Sequence, residues 1–131
     1  TVFESPLQMM CESPTIYKKE QETVDFITQI PTIWDETVVL KAKLSDYIVI
    51  ARRNGENWYL AAMTDWTARN FEVDLSFLDE NANYNVQVYK DGVNTDRNAM
   101  DYKFEKMILN NKSKMNISMS RGGGFSAIFK K

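Results

Sequence analysis

A strict two-residue period of apolar side chains sets in along the chain after Trp34. In FEVDLSF, residues 71–77, every second residue is apolar, and YNVQV, residues 84–88, repeats the pattern. Successive side chains of a β-strand point to opposite faces of the sheet, so this period is typical of strands with one face in a core and one in water. Most of the chain is therefore expected to form antiparallel sheets.

Two neighbouring segments are apolar on both faces. They are YIVIARR, residues 47–53, and NWYLAAM, residues 57–63, and the turn between them contains the pair Asn54-Gly55. Asn-Gly is typical of a tight hairpin turn, and strands that are apolar on both sides are typical of the middle of a sheet. We expect a central hairpin here.

The end of the chain contains two more candidate strands. KMNISMS, residues 114–120, and GFSAIFKK, residues 124–131, are joined by Arg121 and a run of glycines, and we expect them to pair with each other. The chain then has about seven to eight strands. That number and spacing indicate a mainly β fold, either an antiparallel β-sandwich or a Greek-key barrel.

The start of the chain differs in pattern and predicts a short helical segment. Ser5-Pro6 and Ser13-Pro14 each place a capping hydroxyl directly before a proline, which suits the first residues of a helix. Residues 19–30 carry apolar side chains at helical spacing, and Pro31 ends the pattern. We therefore expect two short helices before the strands begin.

The change of period near Ile33 to Asp35 divides the chain in two. Residues 1–33 are predicted to be a short helical part, and residues 34–131 a β-sandwich domain. A Pro-rich or Ser-rich linker is absent at the boundary, which indicates two parts packed together.

The composition excludes several classes of function. Histidine is absent and Cys11 is the one cysteine, so imidazole catalysis, zinc sites of the usual ligand sets and internal disulfides are excluded. We expect Cys11 to be a small buried residue beside Met9 and Met10. The formal charge of -2, without a block of like charge, argues against nucleic acid and a membrane surface as partners.

Carboxylates are the remaining candidates for catalysis. Those that could pair for glycosidic chemistry are Asp35, Glu36, Asp65, Asp74, Asp91, Asp96 and Asp101. Most stand beside Gly, Asn or Thr, where an Asp side chain ordinarily bonds the backbone of a turn. Residues 90–102 lack the register and the final Glu of an EF-hand calcium loop. The sequence therefore predicts no catalytic, metal-binding or cofactor-binding residue in this chain.

Three tryptophans are candidates for a core or a binding surface. Trp58 lies in a segment that is apolar on both faces, and we expect it to be buried. Trp34 and Trp66 lie at strand edges, where an aromatic ring can contact a partner domain or stack on a sugar. An interface and a sugar platform are both compatible with these two positions.

Several long strings resemble the C-terminal end of glycoside hydrolase family 97. They include ARRNGENWYLAAMTDWTARNFEVDLSFL, residues 51–78, and VYKDGVNTDRNAMDY, residues 88–102, with ESPLQMMCESPTIY near the start and SRGGGFSAIF near the end. The resemblance implies a parent enzyme with an N-terminal β-sandwich, a central (β/α)8 barrel that holds the active site, and a small C-terminal β-domain. The resemblance implies that this chain supplies that last domain, with residues 1–33 as the terminal strand and helix remnant of the catalytic barrel.

The same resemblance sets expectations for function. Family members are calcium-dependent exo-acting α-glucosidases, which invert, or α-galactosidases, which retain, and they are typically exported to the periplasm of gut Bacteroidetes. Their catalytic and calcium-binding carboxylates belong to earlier barrel strands, so none is assigned here, and only Glu4 and Ser5 lie near where a pocket rim would be. The chain is expected to be inactive alone and to need no cofactor, since calcium belongs to the parent's catalytic domain.

Packing on the catalytic barrel and contact between copies are the expected roles. Met9, Met10, Phe26 and Ile30 are expected to form an apolar patch where barrel neighbours are missing, and such a patch favours a homo-oligomer. The alternative is a carbohydrate-binding module that uses Trp34 or Trp66. An α-glucoside or α-galactoside substrate is expected only through the parent, and the sequence does not choose between the two.

Overall fold

The computed structural model describes residues 1–3 and 10–131, and within them it shows two short helices followed by eight strands. The helices are α1 (Pro14–Lys19) and α2 (Gln21–Ile27). The strands are β1 (Glu36–Lys43), β2 (Tyr47–Asn54), β3 (Asn57–Thr64), β4 (Arg69–Asp74), β5 (Asn83–Asp91), β6 (Tyr102–Asn110), β7 (Lys114–Met119) and β8 (Gly124–Lys130). The predicted mainly β fold is confirmed.

The strands form two antiparallel sheets of unequal width. The large sheet has the order β1-β2-β3-β8-β5-β6, and β4 pairs with β7 in a small two-stranded sheet. The predicted central hairpin is confirmed, with Asn54 opposite Asn57 and Gly55 at a φ of 59°. Within the described residues the large sheet begins at β1 and ends at β6 without closing, so the fold is a sandwich and the Greek-key barrel is wrong.

The predicted pairing of the last two segments is wrong. β7 pairs with β4 in the small sheet, whereas β8 lies in the large sheet between β3 and β5. The turn through Gly122, at a φ of 66°, carries the chain from one sheet to the other. The two-residue period places each side chain on a face, but it does not choose the neighbouring strand.

The main core lies between the two sheets. Alternate residues of β4 and β5 point into it, as the period predicted: Phe71, Val73, Tyr84, Val86 and Val88. Trp58 is buried there as expected, and its ring packs on Phe77 with 4.9 Å between centroids. Burial of each such large apolar side chain contributes about 1.5–3 kcal/mol to folding.

The face of the large sheet that points away from the small sheet, here called the outer face, is partly covered by α2. Phe26 is buried against Tyr59 and Ile128, and its ring centroid lies 4.5 Å from that of Tyr89. Ile30 packs against the same cluster. The apolar patch expected around Phe26 and Ile30 is therefore not exposed, because the sheet of this chain already covers both side chains.

The start of α1 agrees with the sequence prediction in part. Ser13 precedes Pro14 at the first turn, where its backbone carbonyl accepts the N–H of Ile16 at 3.0 Å, but its hydroxyl makes no capping bond. The second helix ends at Ile27, before the predicted stop at Pro31.

Other expectations for this segment have mixed outcomes. Cys11 is exposed, so the prediction that it is buried is wrong. Met10 is exposed as well. The predictions for Glu4, for Ser5-Pro6 and for Met9 lie outside the described residues. The division of the chain at residue 33 stays a prediction, and no helix in the described part of the chain is long and apolar enough to cross a bilayer.

Candidate functional site

Four of the seven candidate carboxylates bond the backbone of turns, as their neighbours in the sequence indicated. Asp35 accepts the backbone N–H of Gly55 at 2.7 Å, and Asp101 accepts that of Asn94 at 2.7 Å. Such bonds satisfy backbone donors that have no partner in a strand. The carboxylates therefore have structural roles that account for their positions.

Asp91 has a similar role at the end of β5. Its carboxylate accepts the backbone N–H of Ser120 at 2.7 Å and lies 3.5 Å from that of Gly124. Asp74 points to solvent from β4, 4.0 Å from Lys114. These acids thus lie on separate turns and faces of the sandwich.

Arg69 joins two turns through its guanidinium group. It lies 2.5 Å from Asp65 and 3.6 Å from Asp46, and it also donates a hydrogen bond to the hydroxyl of Thr64. The hydrogen bond from Arg69 holds the pKa of Asp65 below its usual range, and the N–H of Thr67 adds to this effect. An acid with a lowered pKa stays ionised at neutral pH, so Asp65 is unsuited to act as a general acid.

The described residues include no group of three or more His, Cys, Asp or Glu side chains that could hold a metal ion. Calcium requires six to eight oxygen ligands around one point. The described part of this chain therefore offers no fitting site for the calcium that the family resemblance implies.

The two candidate tryptophans occupy different environments. Trp34 is half-buried, with its ring 5.2 Å from that of Tyr59 and the guanidinium of Arg52 5.6 Å from its centroid. It forms part of the outer-face cluster with Tyr59, which makes it a structural residue of this domain. Trp66, in the loop after β3, is 85% exposed and lies over Gly122. The structure does not bring these two rings together into one platform.

Two cavities lie on the outer face beside residues 1–3. One, of about 550 Å³, has Ala61, Tyr89 and Tyr102 among its lining residues. The other, of about 720 Å³, is lined mainly by apolar groups, which include Phe3 and Met63. Neither encloses a pair of unbonded acids, since Asp91 and Asp101 in the first and Asp46 and Asp65 in the second bond the turns around them.

A comparison with known protein families decides the identity of the chain. Residues 33–130 match the family described as glycosyl-hydrolase 97 C-terminal, oligomerisation. The chain belongs to this family. The expected resemblance to glycoside hydrolase family 97 is thereby confirmed, and so is the assignment of the chain to the C-terminal region of such an enzyme.

Relatives of the family 97 domain support the assignment. A retaining α-galactosidase of Bacteroides thetaiotaomicron is 46% identical over 125 residues, which is 95% of this chain and 19% of that protein. A family 97 enzyme from Pseudoalteromonas sp. strain K8, solved with acarbose, superposes with a TM-score of 0.92 at 34% identity over 98% of this chain and 21% of that one. A β-arabinopyranosidase superposes with a TM-score of 0.73 at 27% identity, over 95% of this chain and 19% of its own.

The family 97 domain thus spans about a fifth of the length of these relatives. Sequence reasoning missed one feature of it, which is a concentration of exposed apolar side chains at the tips of the loops. Leu44, Val93 and Met100 belong to it together with Trp66. Loop residues follow no period, so the only sequence signal available was an apolar residue within an otherwise polar turn.

Proposed function

We propose that this chain is the non-catalytic C-terminal domain of a family 97 glycosidase, where it packs on the catalytic barrel and joins copies of the enzyme. The observation that carries the proposal is the structural role of the aspartate side chains. Asp35, Asp65, Asp91 and Asp101 bond backbone donors in four different turns, so each of these carboxylates is already engaged in holding the fold. Glycoside hydrolysis ordinarily needs two carboxyl groups that flank one bond.

The family description supports the role in oligomerisation, since it names that role for residues 33–130. A symmetric dimer needs a self-complementary surface, which a compact terminal domain can present without disturbing an active site. The chain would then stabilise the quaternary structure while the chemistry takes place elsewhere.

For the parent enzyme we propose hydrolysis of α-galactosides with retention. Support comes from the 46% identity to a retaining α-galactosidase, which exceeds the 34% identity to the enzyme solved with acarbose. Calcium is proposed for the catalytic domain of the parent, and export to the periplasm is proposed for the whole enzyme. Both follow from the family resemblance.

A hydrolysis assay tests the proposal. The 131-residue chain and the full-length enzyme that contains it are incubated with nitrophenyl α-galactoside and α-glucoside, with calcium and with a chelator. We expect turnover of the galactoside by the full enzyme and none by the chain, and light scattering should show an oligomer of the full enzyme. Calcium-dependent turnover by the chain alone would contradict the accessory role.

A second candidate function, sugar binding, rests on the exposed ring of Trp66. A solvent-facing indole is a suitable stacking surface for a pyranose. Titration of the chain with galactose and melibiose, followed by tryptophan fluorescence, tests it against a Trp66→Ala variant, with Trp34→Ala as the control. A saturable signal that only Trp66→Ala abolishes would establish sugar binding, and a flat titration would remove it.

A further inference from the structure

The sandwich has two ends that differ sharply in character. Four loops meet at one end, because the strands that lead into them are neighbours or face each other across the core: 44–46, 65–68, 92–101 and 120–123. We call this the apolar end. The opposite end holds the loops 55–56, 75–82 and 111–113.

The most exposed large hydrophobic side chains of the described residues lie at the apolar end. Val93 is 98% exposed, Leu44 94%, Trp66 85% and Met100 79%. The three loops at the opposite end contain none of the exposed large hydrophobics of the described chain, and polar residues such as Asn81 form their tips. One such side chain, Ile33, lies at that end beside Asn54, where the chain enters β1, and is 73% exposed. Scattered single hydrophobics on a surface need no explanation, but here three of the four loops at one end each carry an exposed large apolar side chain.

The loops of the apolar end are held in place by hydrogen bonds between them. The N–H of Asp65 donates to the carbonyl of Asp46 at 2.8 Å, and the N–H of Gly122 donates to the carbonyl of Asp65 at 2.7 Å. These bonds join the loop of Leu44 to that of Trp66 and to the turn before β8. These hydrogen bonds therefore fix the positions of the loops that carry Leu44 and Trp66 relative to each other.

The loop of Val93 and Met100 is fixed in the same way. Asp101 closes it by accepting the N–H of Asn94 at 2.7 Å, while its own carbonyl accepts the N–H of Gly92 at 2.9 Å. A surface that is ordered before binding loses little conformational entropy when a partner docks, which favours a stable contact.

From this arrangement we infer that the catalytic domain of the same polypeptide packs against the apolar end. The inference rests on the proposed function and names the surface through which it acts. Exposed apolar side chains grouped in this way mark an interaction site, and a covalently attached domain is present at a high effective concentration. The relatives are about five times longer than this chain, so a large body of polypeptide is available to cover it.

The position of residues 1–3 identifies the catalytic domain as the occupant. The family match begins at residue 33, but the α-galactosidase and the Pseudoalteromonas enzyme align with 95% and 98% of this chain. Most of the segment before residue 33 therefore also has a counterpart in these enzymes, although it lies outside the C-terminal family domain. Residues 1–3 of that segment lie beside the apolar end. Phe3 is 74% exposed and lines the cavity of about 720 Å³ together with Leu44 and Met63. The cavity therefore extends from the loop of Leu44 to residues 1–3, on the side from which the chain connects to the catalytic region.

Hydroxyl-radical footprinting with mass spectrometry tests the inference. Met100 and Trp66 carry side chains that react readily with oxidants, so their labelling reports exposure. We expect both to be labelled several-fold more slowly in the full-length enzyme than in the 131-residue chain, at a protein concentration where the full enzyme is monomeric. The control is Ile108, which is 69% exposed on β6 near the opposite end of the sandwich.

Charged variants provide the second measurement. Leu44→Asp and Val93→Asp should restore labelling of Met100 and Trp66 in the full enzyme and lower its thermal midpoint by several degrees, while the isolated chain keeps its stability. Ile108→Asp is the matched control, because Ile108 is 69% exposed on β6, away from the apolar end. It should leave the labelling of the full enzyme unchanged.

Each contrary result has a distinct meaning. Equal labelling of the apolar end in both proteins, with protection elsewhere on the domain, would contradict packing of the catalytic domain against this end and leave the accessory role intact. Protection that appears in the isolated chain only as its concentration rises would assign the end to a second copy, and protection only with added galactoside would assign it to a sugar. A full enzyme that protects no part of this chain would contradict the proposed function itself.

Discussion

The carboxylate of Asp91 accepts the N–H of Ser120 at 2.7 Å, and Gly123 leaves it the space to do so. A Cβ atom built on Gly123 would lie 1.9 Å from the Asp91 carboxylate and 2.9 Å from the nitrogen of Ser120. We predict that Gly123→Ala destabilises the chain by about 1–3 kcal/mol, the range typical of overpacking. Urea unfolding of the two proteins measures the difference.

A double-mutant cycle separates this clash from other effects at Gly123. Replacement of Asp91 by Ala removes the group that the new methyl would strike, so the double variant should lose less stability than the sum of the two single variants. Additive losses would show that Gly123 matters for a reason other than its contact with Asp91.

Two leucines in different environments give the second prediction. Leu60 is fully buried in the main core, whereas Leu44 is almost fully exposed at the apolar end. Leu60→Ala should cost about 2–5 kcal/mol, since it leaves a cavity that the core does not refill. Leu44→Ala should change the stability of the isolated chain by less than about 0.5 kcal/mol. Similar losses for both would mean that Leu44 is covered within the chain itself.

The strands of the core were predictable because burial leaves a period in the sequence. Alternation fixed the inward residues of β5, such as Val86 and Val88, and the doubly apolar segments identified the central hairpin of β2 and β3. The partners of β7 and β8 were not predictable. Their assignment to different sheets depends on long-range pairing, and two strands joined by a short glycine turn have the same local pattern in either case.

Surface features were less predictable than the core. The turn roles of Asp35 and Asp101 follow from local chemistry and could be recognised in the sequence. The gathering of Leu44, Val93 and Trp66 at one end could not, because it depends on the sheet order that brings three loops from distant parts of the chain together. The burial of Phe26 within this chain was not predicted for a related reason, because its partners Tyr59 and Ile128 lie far along the chain.

The third prediction concerns the attachment of the helical segment to the sheet. Helices of six or seven residues are marginal in water by themselves, so α2 depends on its one buried side chain, Phe26. Phe26→Ala should cost about 3 kcal/mol and release α2 from the outer face, which hydrogen exchange of residues 21–27 would detect as lost protection. Ile27→Ala is the control, because Ile27 is exposed on the same helix. Retained protection of α2 in Phe26→Ala would show that other contacts hold it.

The last prediction concerns the pH dependence of stability through Tyr89. Burial raises the pKa of Tyr89 to about 12, and the charge of Glu22 adds to the rise. In the unfolded chain a tyrosine ionises near pH 10, so between about pH 10 and 12 the unfolded chain releases a proton that the folded chain retains. The contribution of Tyr89 is therefore fully present below pH 10 and is lost as the pH rises toward 12.

Tyr89→Phe removes this titration and keeps the ring that packs on Phe26 and Phe104. The stability of the variant relative to the natural chain should thus increase between pH 8 and pH 11, since only the natural chain loses the contribution of Tyr89 over that range. Urea unfolding at the two pH values measures it, and the absorbance of ionised tyrosine gives an independent titration. An unchanged difference between the two proteins would mean that Tyr89 ionises in the folded chain as readily as in the unfolded one, and that the outer face is open to water at this ring.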